Sequence, residues 1–131
     1  MVNALRAAHR RVKRGGLVID ARPDASRPPR VIAGGKVRGR IMQSADADHR
    51  DVSADAAVER VLARGLFRRT GERGVVWHAV SFGDLKEFDD YLADTSRYSR
   101  YEPGTRRALL PFKEGPIRMK RAIKFEMLER L

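Results

Sequence analysis

The chain has 131 residues, 42% hydrophobic and 34% charged, and it contains no cysteine. That apolar share suffices for one modest core and excludes wholesale disorder. The missing cysteine excludes disulfides, thiolate metal sites and a cysteine nucleophile. The formal net charge of +11 makes polyanions natural partners, through solubility and non-specific attraction first.

No apolar run approaches the roughly eighteen residues of a membrane span. The basic opening MVNALRAAHRRVKRGG lacks the apolar core and cleavage site of a signal peptide, so the expected compartment is the cytoplasm and no membrane is expected as partner. Val2, Leu5, Ala8 and Val12 recur at near-helical spacing, which predicts an amphipathic helix over 2–14. Its cations crowd the last turn, where they suit the negative end of the helix dipole, and Gly15-Gly16 stops it. Leu17-Val18-Ile19 then reads as a short strand buried on both faces, as in a parallel sheet, ending before Pro23. Residues 23–30 hold three prolines and read as a loop.

Residues 30–33 and 36–42 flank Gly34-Gly35, a hairpin signal. Their apolar content is low, which suggests an appendage over the surface. Residues 43–52 are polar. Ser53 is the expected N-cap of a helix through Arg64, with Val58, Val61 and Leu62 on one face and Gly65 closing it. Residues 66–70 and 75–82 bracket Gly71-Glu72-Arg73-Gly74, so a second hairpin is predicted there. Asp84 should cap a helix through Leu92 that buries Leu85, Phe88, Tyr91 and Leu92. Residues 94–105 are polar, and Thr105 opens a short helix that ends before Pro111. From Ile117 to Met127 apolar and polar residues alternate, broken only at Arg121, which favours a long amphipathic strand over 116–128. No internal repeat and no low-complexity tract is present.

At residues 4–20 the pattern ALRAAHRRVKRGGLVID resembles class I S-adenosylmethionine-dependent methyltransferases. In that family the helix before the fifth strand ends in Arg-x-Leu-Lys-Pro-Gly-Gly and an apolar strand follows. Here Val12 stands for the leucine and Arg14 for the proline. The family closes its sheet with a helix, a sixth strand and an antiparallel seventh strand, which 53–64, 75–82 and 116–128 would supply. The resemblance implies an α/β fold: a small mixed sheet with flanking helices, like the C-terminal half of a Rossmann-like methyltransferase, with 1–131 as a single half-domain. It also implies that the family's S-adenosylmethionine site, a Gly-rich turn and an acidic strand end, belongs to a half preceding residue 4. Gly15-Gly16 and Gly34-Gly35 lack the G-x-G spacing. No cofactor-binding residue carries over, and S-adenosylmethionine is implied only for the complete family domain.

Other chemistry is sparse in the sequence. His9, His49 and His78 are far apart and fit no metal-ligand spacing. Asp46 and Asp48 beside His49 read as a flexible acidic loop rather than a cation site. Ser81 lacks the first glycine of a nucleophile elbow. Asp89 and Asp90 are neighbours on a helix and do not face each other. No catalytic, cofactor-binding or metal-ligating residue is assigned.

The one basic-aromatic cluster is Arg97, Tyr98, Arg100, Tyr101, Arg106 and Arg107. Interleaved cations and aromatics are what single-stranded nucleic acid binding uses, so these are candidate nucleic-acid or substrate contacts. Against that stands a solvated loop with partly packed tyrosines. Without its first half the strand from Leu17 to Arg22 would be a bare apolar edge, which predicts a homodimer or another protein covering it.

Three function classes follow. The first is a non-catalytic methyltransferase-like half-domain acting as an interaction module. The second is part of a methyltransferase completed by an upstream or partner half. The third is a basic protein that binds RNA or DNA.

Overall fold

The computed structural model describes residues 2–96 and 98–131. The chain is mixed α/β. Four helices accompany a six-stranded sheet in which the pairings given below are all antiparallel. In chain order the elements are α1 (Val2–Arg11), β1 (Leu17–Pro23), β2 (Arg30–Ala33), β3 (Lys36–Gln43), α2 (Ala45–Ala63), β4 (Phe67–Phe82), α3 (Leu85–Asp94), β5 (Ser99–Tyr101), α4 (Thr105–Leu109) and β6 (Ile117–Arg130). A 3₁₀ turn at Leu110–Phe112 follows α4. The residues group into two compact units. One comprises 2–22, 49–76 and 123–131; the other comprises 23–48 and 77–122.

In the first unit the core is Leu5, Val58, Val61, Phe67 and Leu128, with Val18, Leu62 and Leu66 packed at its margin. His9 sits edge-on to Phe67 with ring centroids 5.5 Å apart. β1 and β6 run antiparallel. Gly15 donates its backbone N–H to Arg130 O, and Arg130 donates its own to Gly16 O. At the junction after α1, Gly15 takes φ 76°, and a Cβ on Gly16 would run into Val12 and the Lys13 carbonyl. Both glycines are thus required sterically.

Three sequence expectations change here. β1 is not buried on both faces: Leu17 is 53% and Ile19 63% exposed, while Val18 and Asp20 turn inward. An antiparallel strand with helices over one side alternates in this way. The helix expected from Ser53 begins at Ala45. Ser44 supplies the start, its carbonyl accepting from Asp48 N–H, with Asp46 and Asp48 in the first turn at the positive dipole end. Residues 45–52 are exposed or only half-buried, so no apolar stripe marked them. The exit from α2 is as expected: Gly65, at φ 67°, donates to Leu62 O, and Leu66 donates to Val61 O.

The predicted hairpin at 66–82 is one uninterrupted strand, β4, 16 residues long. Gly74 does not serve a turn. A Cβ there would lie 3.0 Å from the Phe125 ring, so the glycine admits an aromatic ring from β6. A set of ion pairs closes this unit: Arg22 binds Asp20 and Asp55 at 2.9 and 2.7 Å, and Lys124 reaches Asp55 at 3.2 Å. On the next rung Arg69 is paired to Glu126 and Glu59.

In the second unit the core is Val31, Ala33, Ile41, Phe82, Leu85, Phe88, Leu92, Leu109, Ile117 and Met119. The β2–β3 hairpin is therefore no appendage. β2 pairs with β3 on one side and β6 on the other, and the buried Val31 and Ala33 alternate with the exposed Arg30 and the half-buried Ile32. Two apolar side chains at alternate positions are enough when the strand is central. α3 forms as the sequence predicts. The Asp84 carboxylate accepts from Glu87 N–H at 2.8 Å, and Leu85, Phe88 and Leu92 are buried. α4 packs on β3 at Gly39, where any Cβ would fall inside the Thr105 side chain. Thr105 Oγ1 accepts from Arg40 N–H at 3.1 Å. Residues 99–101, expected as loop, pair with β3 as β5.

Candidate nucleic-acid interface

The sequence-predicted cluster is divided by the strand geometry. Arg97 lies outside the described residues. Tyr98 is half-buried, its carbonyl accepting from Ser44 N–H at 2.9 Å. Tyr101 points to the core side of β5, because it stands opposite the buried Ile41. Its hydroxyl donates to Asp89 at 2.7 Å, and its ring meets Phe88 edge-on. Arg106 closes the same group with two bonds to Asp89, at 3.2 and 2.9 Å. Arg106 and Tyr101 hold the Asp89 carboxyl below the usual carboxylate range. Burial and the adjacent carboxylate push the Tyr101 phenol well above its ordinary value. These two residues are thus occupied in an internal network that ties β5 and α4 to α3. Arg107 is exposed on α4.

Arg100 faces the other way. Neighbouring residues on a strand point to opposite sides, and Arg100 stands opposite Met42, which is exposed. This leads to the face of the second unit's sheet on which Arg30, Arg40 and Arg118 are exposed and Lys120 is half-buried, where the sequence singled out nothing but Arg100. Arg30 pairs directly with Arg40 of β3 on one side and with Lys120 of β6 on the other. Directly opposed residues share a face and lie about 5 Å apart. Two positions along, Ile32 stands between Val37 and Arg118. The Arg30 guanidinium lies over the Trp77 ring, 4.4 Å from its centroid. Trp77 belongs to β4, which pairs with β6, and it is 38% exposed.

The face thus carries Arg100, Arg40, Arg30, Lys120 and Arg118, with Trp77, Met42, Val37 and Ile32 among them. None of these strand positions is acidic. Among the described residues, no carboxylate forms an ion pair with Arg30, Arg40 or Lys120. Elsewhere the chain pairs its charges readily, as Arg69 with two glutamates and Arg106 with Asp89 show. Like charges directly opposed across strands cost roughly 0.2–1 kcal/mol per pair. The row Arg40–Arg30–Lys120 holds two such pairs, and among the described residues its cations have no ion-pair partner, only the Trp77 ring beneath Arg30. Such an arrangement can neutralise a run of phosphates and offer one aromatic surface to a base.

Alternation along 117–127 sets Arg118 and Lys120 on one side of their strand. What sequence reading missed was the adjacency of the row, since 30, 40 and 120 meet only through strand pairing. No group of three or more His, Asp or Glu residues gathers into a metal site among the described residues. No helix among them is long and apolar enough to cross a membrane. No family model, curated protein or solved structure matches the chain.

Proposed function

We propose that this chain binds nucleic acid, with the cationic sheet face of β2, β3 and β6 as the contact surface. The observation that carries the reading is the unpaired cation row Arg40–Arg30–Lys120, directly opposed across three strands. A protein surface keeps such a row when an anion of matching spacing offsets the repulsion. The phosphate backbone is the polyanion that fits, because each neutralised phosphate releases counterions and adds affinity. The test is anisotropy titration of labelled RNA and DNA against the wild type and the triple variant R30Q/R40Q/K120Q. Binding that weakens at least tenfold in the triple variant supports the reading. Binding that the triple variant leaves unchanged overturns it, as does adsorption to anionic vesicles with no binding of nucleic acid.

A second reading rests on the first unit. There the Gly15-Gly16 junction between α1 and β1 carries the methyltransferase resemblance, and Leu17 and Ile19 stand exposed on β1. In this reading the chain is a methyltransferase-like half-domain that acts as an interaction module, or is completed to an enzyme by another chain. Light scattering and calorimetry with S-adenosylmethionine address it. A monomer that forms no complex speaks against the module. Tight cofactor binding by this chain alone contradicts the half-domain.

A further inference from the structure

We infer that the strand taken by this face is single-stranded, with Trp77 as the stacking platform; the inference rests on the nucleic-acid reading above. Three features of the face select against a duplex. Its contacts stand on strands, Arg30 on β2, Arg40 on β3, Lys120 on β6 and Trp77 on β4, and none of them is on a helix or loop that would enter a groove. Its cations stand on adjacent strands about 5 Å apart, so they track one backbone rather than bridging two. Its aromatic residue can meet a base only face to face, and in a duplex those faces are already stacked.

The indole is held by Arg30 over one side and remains 38% exposed. A guanidinium plane on an indole is itself a stacking surface, and Arg30 also stands beside Lys120 in the phosphate-binding row. Arg30 therefore links the two kinds of contact. The apolar neighbours Met42, Val37 and Ile32 carry no hydrogen-bonding side chain. The donors of the face are its cations, which the phosphates take, and no carboxylate, amide or hydroxyl side chain stands among them to read base edges. Sequence preference is accordingly weak, and RNA and DNA single strands are both ligands of this surface.

The chain contains one tryptophan, so tryptophan emission, excited selectively over the three tyrosines, reports this face alone. Oligonucleotides of about ten nucleotides, as single-stranded RNA, single-stranded DNA and the matching duplex, are titrated while tryptophan emission and anisotropy of an end label are both followed. The expected result is quenching of the tryptophan by either single strand, with the duplex weaker by about tenfold or more. W77A should lose about 5- to 100-fold in single-strand affinity, and W77F should recover most of it. W77A is compared with wild type by circular dichroism and thermal melting, so that misfolding is separated from lost stacking. Should it misfold, wild-type quenching and the single-strand to duplex ratio still decide the question. Equal affinity for duplex and single strand, or saturation of the label without tryptophan quenching, overturns the single-strand assignment while leaving the nucleic-acid reading intact. Absence of binding to all three probes overturns both. Arms with RNA and DNA of the same sequence separate the two sources, and a difference above about tenfold overturns the shared-ligand statement.

Discussion

The cation row makes a quantitative prediction about salt. Single-strand binding loses affinity with a log–log slope of about 0.7 per neutralised phosphate. If Arg30, Arg40 and Lys120 each meet one phosphate, removing all three lowers the slope by about 2. Between about 50 and about 200 mM salt the wild type should then lose roughly 20-fold more affinity than R30Q/R40Q/K120Q. The assay is anisotropy of a labelled single strand across a salt series. Net charge alone also gives salt dependence, so a matched control is needed. Arg10, Lys13 and Arg14 lie exposed at and beyond the end of α1, and R10Q/K13Q/R14Q removes the same charge without touching the face. The expected slope change for this control is near zero. Equal slopes for the two triple variants would refute the assignment to the sheet face and leave only bulk attraction.

Other predictions concern stability and assembly. Gly39→Ala places a methyl group inside the Thr105 side chain and should cost about 1–3 kcal/mol by thermal or urea melting; unchanged stability would mean that α4 does not hold this position. Asp89, held low by Arg106 and Tyr101, adds stability that is present above the ordinary carboxylate pKa of about 4 and is lost as pH falls through its lower folded value. Melting curves taken down through that range should fall more steeply for wild type than for D89N, and parallel curves would contradict the network. On β1, Ile19→Lys changes a residue that is 63% exposed, so stability should shift by no more than about 0.5 kcal/mol. Any self-association seen by light scattering should drop in the same variant if β1 is the contact.

What was legible in the sequence was local. Asp84 three residues before Glu87, followed by Leu85, Phe88 and Leu92 at helical spacing, is a cap and a face on one short segment, and α3 forms as that pattern requires. The alternation after Ile117 likewise identified β6. Local signals misled where a residue serves a distant partner. Gly71 and Gly74 look like a turn, yet β4 runs through both, because Gly74 gives room to Phe125. The predicted cluster is divided between two faces for a related reason. Proximity in sequence joined Arg100 to Tyr101, whereas the pleat sends them to opposite faces. Arg30, Arg40 and Lys120 share a face and a row, though 90 positions separate the first from the last.

The row also sets function against stability, and one substitution separates the two. Lys120 stands directly opposite Arg30. Lys120→Glu converts a like-charge pair into an opposite-charge pair, a change of up to about 1 kcal/mol in favour of the fold. The new carboxylate would take the Arg30 guanidinium as an ion-pair partner and leave Arg40 the one unpaired cation of the row. A variant chosen for stability alone would carry this change; a surface built to hold phosphates would not. The expected outcome is a melting temperature raised by a few degrees together with loss of single-strand binding that exceeds the loss in Lys120→Gln. Lower stability in Lys120→Glu than in Lys120→Gln would show that the Arg30–Lys120 repulsion is absent in solution. Binding retained by both variants would show that the row is not where the polyanion sits.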